Sequence, residues 1–353
     1  MYVWRDQILH RNIDKAEDML GELATILKLP YETELNLVFD MIQLSLMLRD
    51  KVTARSMELI EDSLVKTKNH IAQYPVSNEV KYYYYCNKGF LEQHKGDYTA
   101  AVTTYKKAVY IENKDFEKDP SPYCNLALCY SSLGMSYKAV RLQLETYNLF
   151  DHNKMNVLSL RIDNNLAVDL MRIGDIEPAL KLLDKALSKA SNNSRKDYVS
   201  IALHNTGVAY LLLKDYEKAL GYLDNASSYL IEGSNSYFEN LYSKIYCFIA
   251  MKKKDVFNKL LKQAKELSKD SEHFSLFFES LSHIVTLKES SSIEFITNKT
   301  IPYLVENYFY SDAIGYCDEL IKVFTKSNLK TKTLETKALR GDILNKIFYS
   351  GEL

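Results

Sequence analysis

The chain has 353 residues, and its 45 basic and 46 acidic side chains give a formal net charge of −1. This balance provides no basic surface for the phosphates of nucleic acid, so direct DNA binding by this chain is not expected. Five cysteines without a CxxC pair, the lack of a secretory signal and the lack of a bilayer-length apolar segment predict reduced thiols in a cytoplasmic protein without membrane attachment.

The first 75 residues show apolar spacing typical of helices. Two helices are predicted at 2–11 and 14–27, and a second pair at 32–48 and 52–71. Because almost nothing precedes the first pair, we expect that an N-terminal domain has been left off.

The segment from Tyr82 to Ala226 repeats one pattern four times. A small residue is followed by a turn and, twelve positions later, by an alanine that begins the face of a second helix. The small residues and their alanines are Gly89 and Ala101, Ala127 and Ala139, Ala167 and Ala179, and Gly207 and Ala219. This is the tetratricopeptide (TPR) pattern, in which helix pairs bury their apolar faces only by stacking. It predicts an all-α fold, a right-handed TPR solenoid of about nine antiparallel helix pairs, forming a single domain over residues 1–353.

The clear repeats occupy residues 79–231, and the pairs at 1–75 and 234–350 are degenerate. Beyond Ser234 three further pairs are predicted, at 237–251 with 256–268, 273–288 with 291–306, and 310–326 with 329–347. Apolar residues near the end, such as Phe348 and Tyr349, favour a homo-oligomer.

An asparagine stands fourteen positions before each repeat alanine. The four residues, here called the asparagine ladder, are Asn87, Asn125, Asn165 and Asn205. They are expected on the side of the first helix opposite its small packing residue, which lines the concave channel of a TPR solenoid. Since an amide both donates and accepts hydrogen bonds, the ladder suits the main chain of an extended peptide. The alternative interpretation is that asparagine merely tolerates a solvated helix face.

Three other side chains are predicted to contact a peptide. Arg161, one turn before Asn165, suits a ligand carboxylate, although ordinary surface charge is the alternative. Tyr83 is the best placed of four consecutive tyrosines to face the channel, and His204 precedes a ladder residue. No HExxH, GxSxG, phosphate-binding loop or metal-ligand spacing occurs, so the sequence predicts no enzyme, no metal and no cofactor.

The TPR array, the asparagine ladder and the segment from Leu203 to Gly207 resemble the peptide-pheromone receptors of Gram-positive bacteria, the family of Rap, NprR and PlcR. The closest likeness is to the TPR region of NprR without its helix-turn-helix domain. The resemblance implies that Asn125, Asn165 and Asn205 grip a short signalling peptide. It also implies a quorum-sensing regulator that changes conformation or oligomeric state to control transcription, sporulation or both.

Two alternatives remain. A Rap-like protein would bind a response regulator or regulate its phosphatase, with Gln43 as a candidate contact. A general TPR adaptor would clamp a carboxylate through a Lys/Arg cluster, whereas this channel is richer in asparagine. DNA contact is expected only through the N-terminal domain that this chain lacks.

Overall fold

The computed structural model describes residues 54–115, 120–149 and 156–349, and every regular element in these ranges is helical. The helices are α1 (Ala54–Gln73), α2 (Asn78–His94), α3 (Tyr98–Asp115), α4 (Pro120–Ser132), α5 (Ser136–Leu149), α6 (Asn156–Ile173), α7 (Ile176–Asn192), α8 (Lys196–Leu212), α9 (Tyr216–Ser227), α10 (Asn235–Ala250), α11 (Lys254–Leu267), α12 (Glu272–Val285), α13 (Ser290–Phe295), α14 (Ile301–Glu306), α15 (Tyr310–Lys326) and α16 (Lys330–Tyr349). The all-α TPR prediction is confirmed, and the predicted pairs between residues 79 and 347 match these helices to within a few residues.

Some predictions lie outside the described residues. They are the first helix pair, the helix predicted at 32–48 with its Gln43, and the side chains of Phe348 and Tyr349.

Contacts divide the chain into two compact units. The first comprises Met1–Leu133 and Lys138–Ile162, and the second comprises Gly134–Tyr137 and Asp163–Leu353. In the first unit α2 packs on α3, and α3 packs on α4. In the second unit α7 packs on α8, α8 on α9, and α15 on α16. That residues 1–353 form one continuous domain stays a prediction.

The small residues of the repeat lie where two helices approach most closely. A Cβ atom on Gly207 in α8 would lie 2.7 Å from Cγ of Leu223 in α9, and one on Gly89 would lie 2.9 Å from Cε1 of Tyr105 in α3. Both Leu223 and Tyr105 are fully buried, and burying a side chain of this size contributes roughly 1.5–3 kcal/mol. Glycine therefore permits the packing that holds each pair together.

The turns inside successive pairs share one backbone conformation. Their left-handed residues are Gly96, Gly134, Gly174, Lys214 and Lys252, which are spaced 38, 40, 40 and 38 positions apart and have φ values between +60° and +94°. Glycine adopts this conformation without steric cost, whereas the Cβ atom of a lysine lies too close to the following carbonyl oxygen and destabilises the turn. The turn therefore keeps the same geometry at Lys214 and Lys252, where glycine is absent.

The predicted helix at 291–306 is interrupted by a π-helical turn, Ile296–Thr300. Pro302 lies two residues after the end of this turn. A proline has no backbone N–H and its ring clashes with the carbonyl group four residues earlier, so a regular α-helix is disfavoured there. The hydroxyl groups of Thr300 and Ser280, 2.9 Å apart, fix the turn against α12.

Candidate functional site

Each ladder asparagine precedes the small packing residue of its helix by two positions. Two residues correspond to about 200° around an α-helix, so Asn205 lies on the side of α8 opposite Gly207. Since Gly207 faces α9, the amide of Asn205 is directed away from the partner helix. The same register applies to Asn165 and Ala167 in α6, and Ala167 is fully buried.

Asn165 and Asn205 are half-buried. Within the described part of the chain, neither side-chain amide has a hydrogen-bond partner. The two residues occupy equivalent positions, 40 residues apart, in the first helices of successive pairs of the second unit. Each therefore offers one carbonyl acceptor and two N–H donors to a ligand.

Asn125 differs, because its amide is already occupied. Arg161 donates from its Nη2 atom to Oδ1 of Asn125 at 3.2 Å. In the same unit, the hydroxyl group of Tyr105 donates to Oε1 of Gln93 at 3.2 Å. Burial raises the pKa of Tyr105 well above its usual value, against the opposing effects of Asn125 and Arg161. Within the first unit, one hydrogen bond thus links α2 to α3 and another links α4 to α6.

Asn87 and Tyr83 are enclosed by packing. Asn87 is 3% exposed and Tyr83 is 8% exposed, and the Tyr83 ring packs edge-on against Tyr82 with centroids 5.1 Å apart. Their participation in ligand binding stays a prediction, and neither side chain presents an open polar surface in this structure.

His204 is held by a residue of the next helix pair. Asn240 donates from Nδ2 to the carbonyl oxygen of Leu223 at 3.0 Å and to Oγ of Ser227 at 2.9 Å. Its Oδ1 atom therefore accepts, and Nδ1 of His204, 3.1 Å away, carries the proton. Burial lowers the pKa of His204, and the Asn240 bond opposes this shift. His204 is thus a neutral imidazole that links α8 to α10, and only Nε2 remains for a ligand.

A cluster of polar residues in the second unit was missed by the sequence reasoning. The hydroxyl groups of Tyr242 in α10 and Tyr316 in α15 lie 3.5 Å apart. Burial raises the pKa of Asp312 to about 6, although the nearby charge of Arg172 lowers it. Arg172 itself pairs with Asp169 at 3.2 Å. These tyrosines are 74 positions apart in sequence, so no local pattern predicts their contact.

No group of three or more metal-ligating side chains occurs among the residues described. None of the helices between residues 54 and 349 combines the length and the apolar composition needed to cross a bilayer.

Comparisons with known proteins agree with this architecture. The Tetratricopeptide repeat family matches residues 82–115 and 158–228, and no curated protein sequence matched the chain. A Rap protein solved with competence and sporulation factor is similar at a TM-score of 0.75 and 16% identity, over 98% of this chain and 96% of that one.

Two structures of NprR are similar as well. The apo form of the quorum sensor NprR from B. thuringiensis has a TM-score of 0.73 and 18% identity, over 97% of both chains. NprR in complex with its cognate peptide NprX has a TM-score of 0.70 and 19% identity, again over 97% of both. The chain thus contains tetratricopeptide repeats at residues 82–115 and 158–228, and its fold is similar to that of the Rap and NprR structures.

Proposed function

We propose that this protein is a cytoplasmic receptor for a short linear signalling peptide, and that Asn165 and Asn205 hydrogen-bond the main chain of that peptide. One observation carries the proposal. The two amides occupy equivalent positions 40 residues apart, are half-buried, and have no hydrogen-bond partner in the described structure.

The chemistry of the amide favours the peptide main chain as its partner. A peptide unit presents one C=O and one N–H, and a side-chain amide complements both groups. An extended peptide repeats these groups regardless of its sequence, so amides contribute affinity while neighbouring side chains select the sequence. On a similar fold, a Rap protein was solved in complex with competence and sporulation factor, and NprR was solved in complex with its cognate peptide NprX.

Peptide binding would regulate the downstream process that the receptor controls. We propose a quorum-sensing regulator in which the peptide changes conformation or homo-oligomeric state to control transcription, sporulation or both. A response regulator is the alternative partner, because Aspartyl phosphate phosphatase F from Bacillus subtilis has a similar fold.

The experiment is calorimetric titration with a library of linear peptides of five to eight residues, using the wild type, Asn165→Ala and Asn205→Ala. Removing one partner of a buried hydrogen bond costs roughly 1–3 kcal/mol, which corresponds to about one to two decades in Kd. Asn225→Ala is the matched control, since Asn225 is exposed on α9.

Binding that weakens in both ladder variants and persists in the control supports the proposal. Binding that is absent from the wild type, or equal in all four proteins, overturns it. Circular dichroism verifies that each variant remains folded.

A further inference from the structure

One carboxylate and three phenols lie close together within the second unit. Asp312 and Tyr316 are four positions apart, so they share one face of α15. Tyr242 and Tyr246 share one face of α10 for the same reason. The hydroxyl groups of Tyr242 and Tyr316, which are 3.5 Å apart, bring the two faces together. These four residues are here called the Asp312 cluster.

The charge of Asp312 acts on all three phenols. Burial raises the pKa values of Tyr242, Tyr246 and Tyr316, and the negative charge of Asp312 raises each of them further. Because the interaction between a charge and a titrating group weakens with distance, the carboxylate and the three hydroxyl groups occupy one small region of the unit.

Asp312 has no counter-charge in contact with it. Burial raises its pKa, and the charge of Arg172 opposes this shift, but the guanidinium makes its 3.2 Å contact with Asp169. Among the described residues, no Lys, Arg or His nitrogen lies within 4.0 Å of the Asp312 carboxylate, and no other side chain hydrogen-bonds it. A carboxylate in this state is costly, because nothing compensates for its lost hydration.

The Asp312 cluster is nevertheless accessible to a ligand. Asp312, Tyr242 and Tyr246 are half-buried, so part of each side chain reaches solvent. The ring of Tyr242 packs edge-on against Phe277 of α12, with centroids 5.4 Å apart, and Tyr316 is only 4% exposed. Side chains that are already held in place lose little conformational freedom when a ligand binds.

We propose that the Asp312 cluster binds a primary ammonium group. Such a group is compact, carries one positive charge, and has three N–H donors but no acceptor. Its donors match the Asp312 carboxylate and the hydroxyl oxygens of Tyr242 and Tyr316, and its charge is attracted to the faces of tyrosine rings. An anion would be repelled by the carboxylate. The amino terminus of a peptide, a lysine side chain or a free amine supplies the ammonium group.

The first test requires no peptide. n-Butylammonium and its neutral isostere n-butanol are titrated at constant ionic strength and pH 7.5 into protein with ¹³C-labelled tyrosine rings. The signal of Tyr242 is assigned by its loss in Tyr242→Phe, and the signal of exposed Tyr110 in α3, assigned likewise, is the internal control. We expect the amine to shift the Tyr242 signal saturably, whereas the alcohol does not, and neither compound to shift the Tyr110 signal. A Tyr242 signal that responds equally to both compounds, or to neither, overturns the inference.

Asp312→Asn removes the negative charge and keeps the shape of the side chain. The Kd of n-butylammonium should rise about tenfold or more in this variant, because the close charge pair is lost. Asp255→Asn is the matched control, since Asp255 is exposed on α11, and its Kd should equal that of the wild type. Circular dichroism verifies that both variants are folded. Equal Kd values in all three proteins overturn the inference.

The second test identifies the source of the ammonium group. Peptides with a free or an acetylated amino terminus, peptides with lysine or norleucine, and spermidine are titrated into the wild type and Asp312→Asn. A preference for the free terminus identifies the amino terminus, a preference for lysine identifies a side chain, and tighter binding of spermidine than of either identifies a free amine. Each preference should disappear in Asp312→Asn, and one that persists there overturns the assignment to Asp312.

The failures of the two proposals are distinguishable. If no peptide binds, the receptor function is overturned, and the n-butylammonium titration still decides whether the ammonium site exists. If peptides bind the wild type and Asp312→Asn alike and n-butylammonium leaves the Tyr242 signal unchanged, the ammonium site is overturned and the receptor function stands.

Discussion

Substitution of Gly207 by alanine tests the close helix approach that sets the direction of Asn205. The added Cβ would lie 2.7 Å from Cγ of Leu223 and 3.2 Å from the carbonyl oxygen of Ala219. Leu223 is fully buried and the carbonyl belongs to the backbone, so neither atom moves aside easily. Overpacking of this kind costs roughly 1–3 kcal/mol, and the better helix propensity of alanine returns about 0.5–1 kcal/mol. We therefore expect the free energy of unfolding to fall by about 1–2 kcal/mol.

Gly221→Ala is the matched control, because Gly221 lies in α9 with nothing within 4 Å of its built Cβ. Only the propensity gain applies there, so the free energy of unfolding should rise by about 0.5–1 kcal/mol. Urea denaturation at 25 °C, followed by far-ultraviolet circular dichroism, compares the two variants with the wild type. If Gly207→Ala is as stable as Gly221→Ala, the helices do not approach closely at this point, and the register argument for Asn205 loses its basis.

Three further predictions concern the turns, a buried carboxyl and the thiols. Lys214→Gly should stabilise the protein and Gly174→Ala destabilise it, each by about 1 kcal/mol in urea denaturation, because both residues have positive φ; equal effects in the same direction would contradict this. Burial raises the pKa of the Asp312 carboxyl to about 6, above its value in the unfolded chain. The folded protein therefore holds this proton at a pH where the unfolded chain has released it. As the pH rises through 6 the carboxyl ionises in the folded protein, and the free energy of unfolding is lowered. Asp312→Asn should therefore raise the free energy of unfolding by about 1–3 kcal/mol at pH 7.5 but not at pH 4. If the variant differs from the wild type by the same amount at both pH values, ionisation of Asp312 is not the cause. Native alkylation at pH 8, read by mass spectrometry, should label half-buried Cys86 well before Cys129, whose pKa burial raises to about 12; similar labelling would refute that difference.

The sequence predicted the helix pairs because their determinants are local. A small residue at a close approach, a turn with a left-handed residue and an apolar stripe all act within about 40 residues, and the structure places α2 to α16 accordingly. The prediction held even at Lys214 and Lys252, where glycine is absent but the turn geometry is kept. By contrast, the contact between Tyr242 and Tyr316, or the packing of Tyr310 on Gly134, depends on residues far apart in the chain.

The candidate site shows where periodicity stops being informative. Four asparagines share one register, so spacing predicts the side of the helix on which each amide lies. Whether an amide is open to a ligand depends on what the rest of the fold brings to it. Asn87 is enclosed, Asn125 is bonded by Arg161 from 36 positions away, and only Asn165 and Asn205 lack partners in the described structure.

The four equivalent positions therefore differ in the partners that their side-chain amides already have. An amide without a partner can exchange hydrogen bonds with a peptide at little cost, since only water must be displaced. An amide that already accepts a hydrogen bond from a guanidinium would have to give up that bond before its oxygen could bind a peptide. The repeat thus supplies the same residue each time, and under the proposed function the neighbours of that residue decide whether its amide is available to the main chain of a peptide.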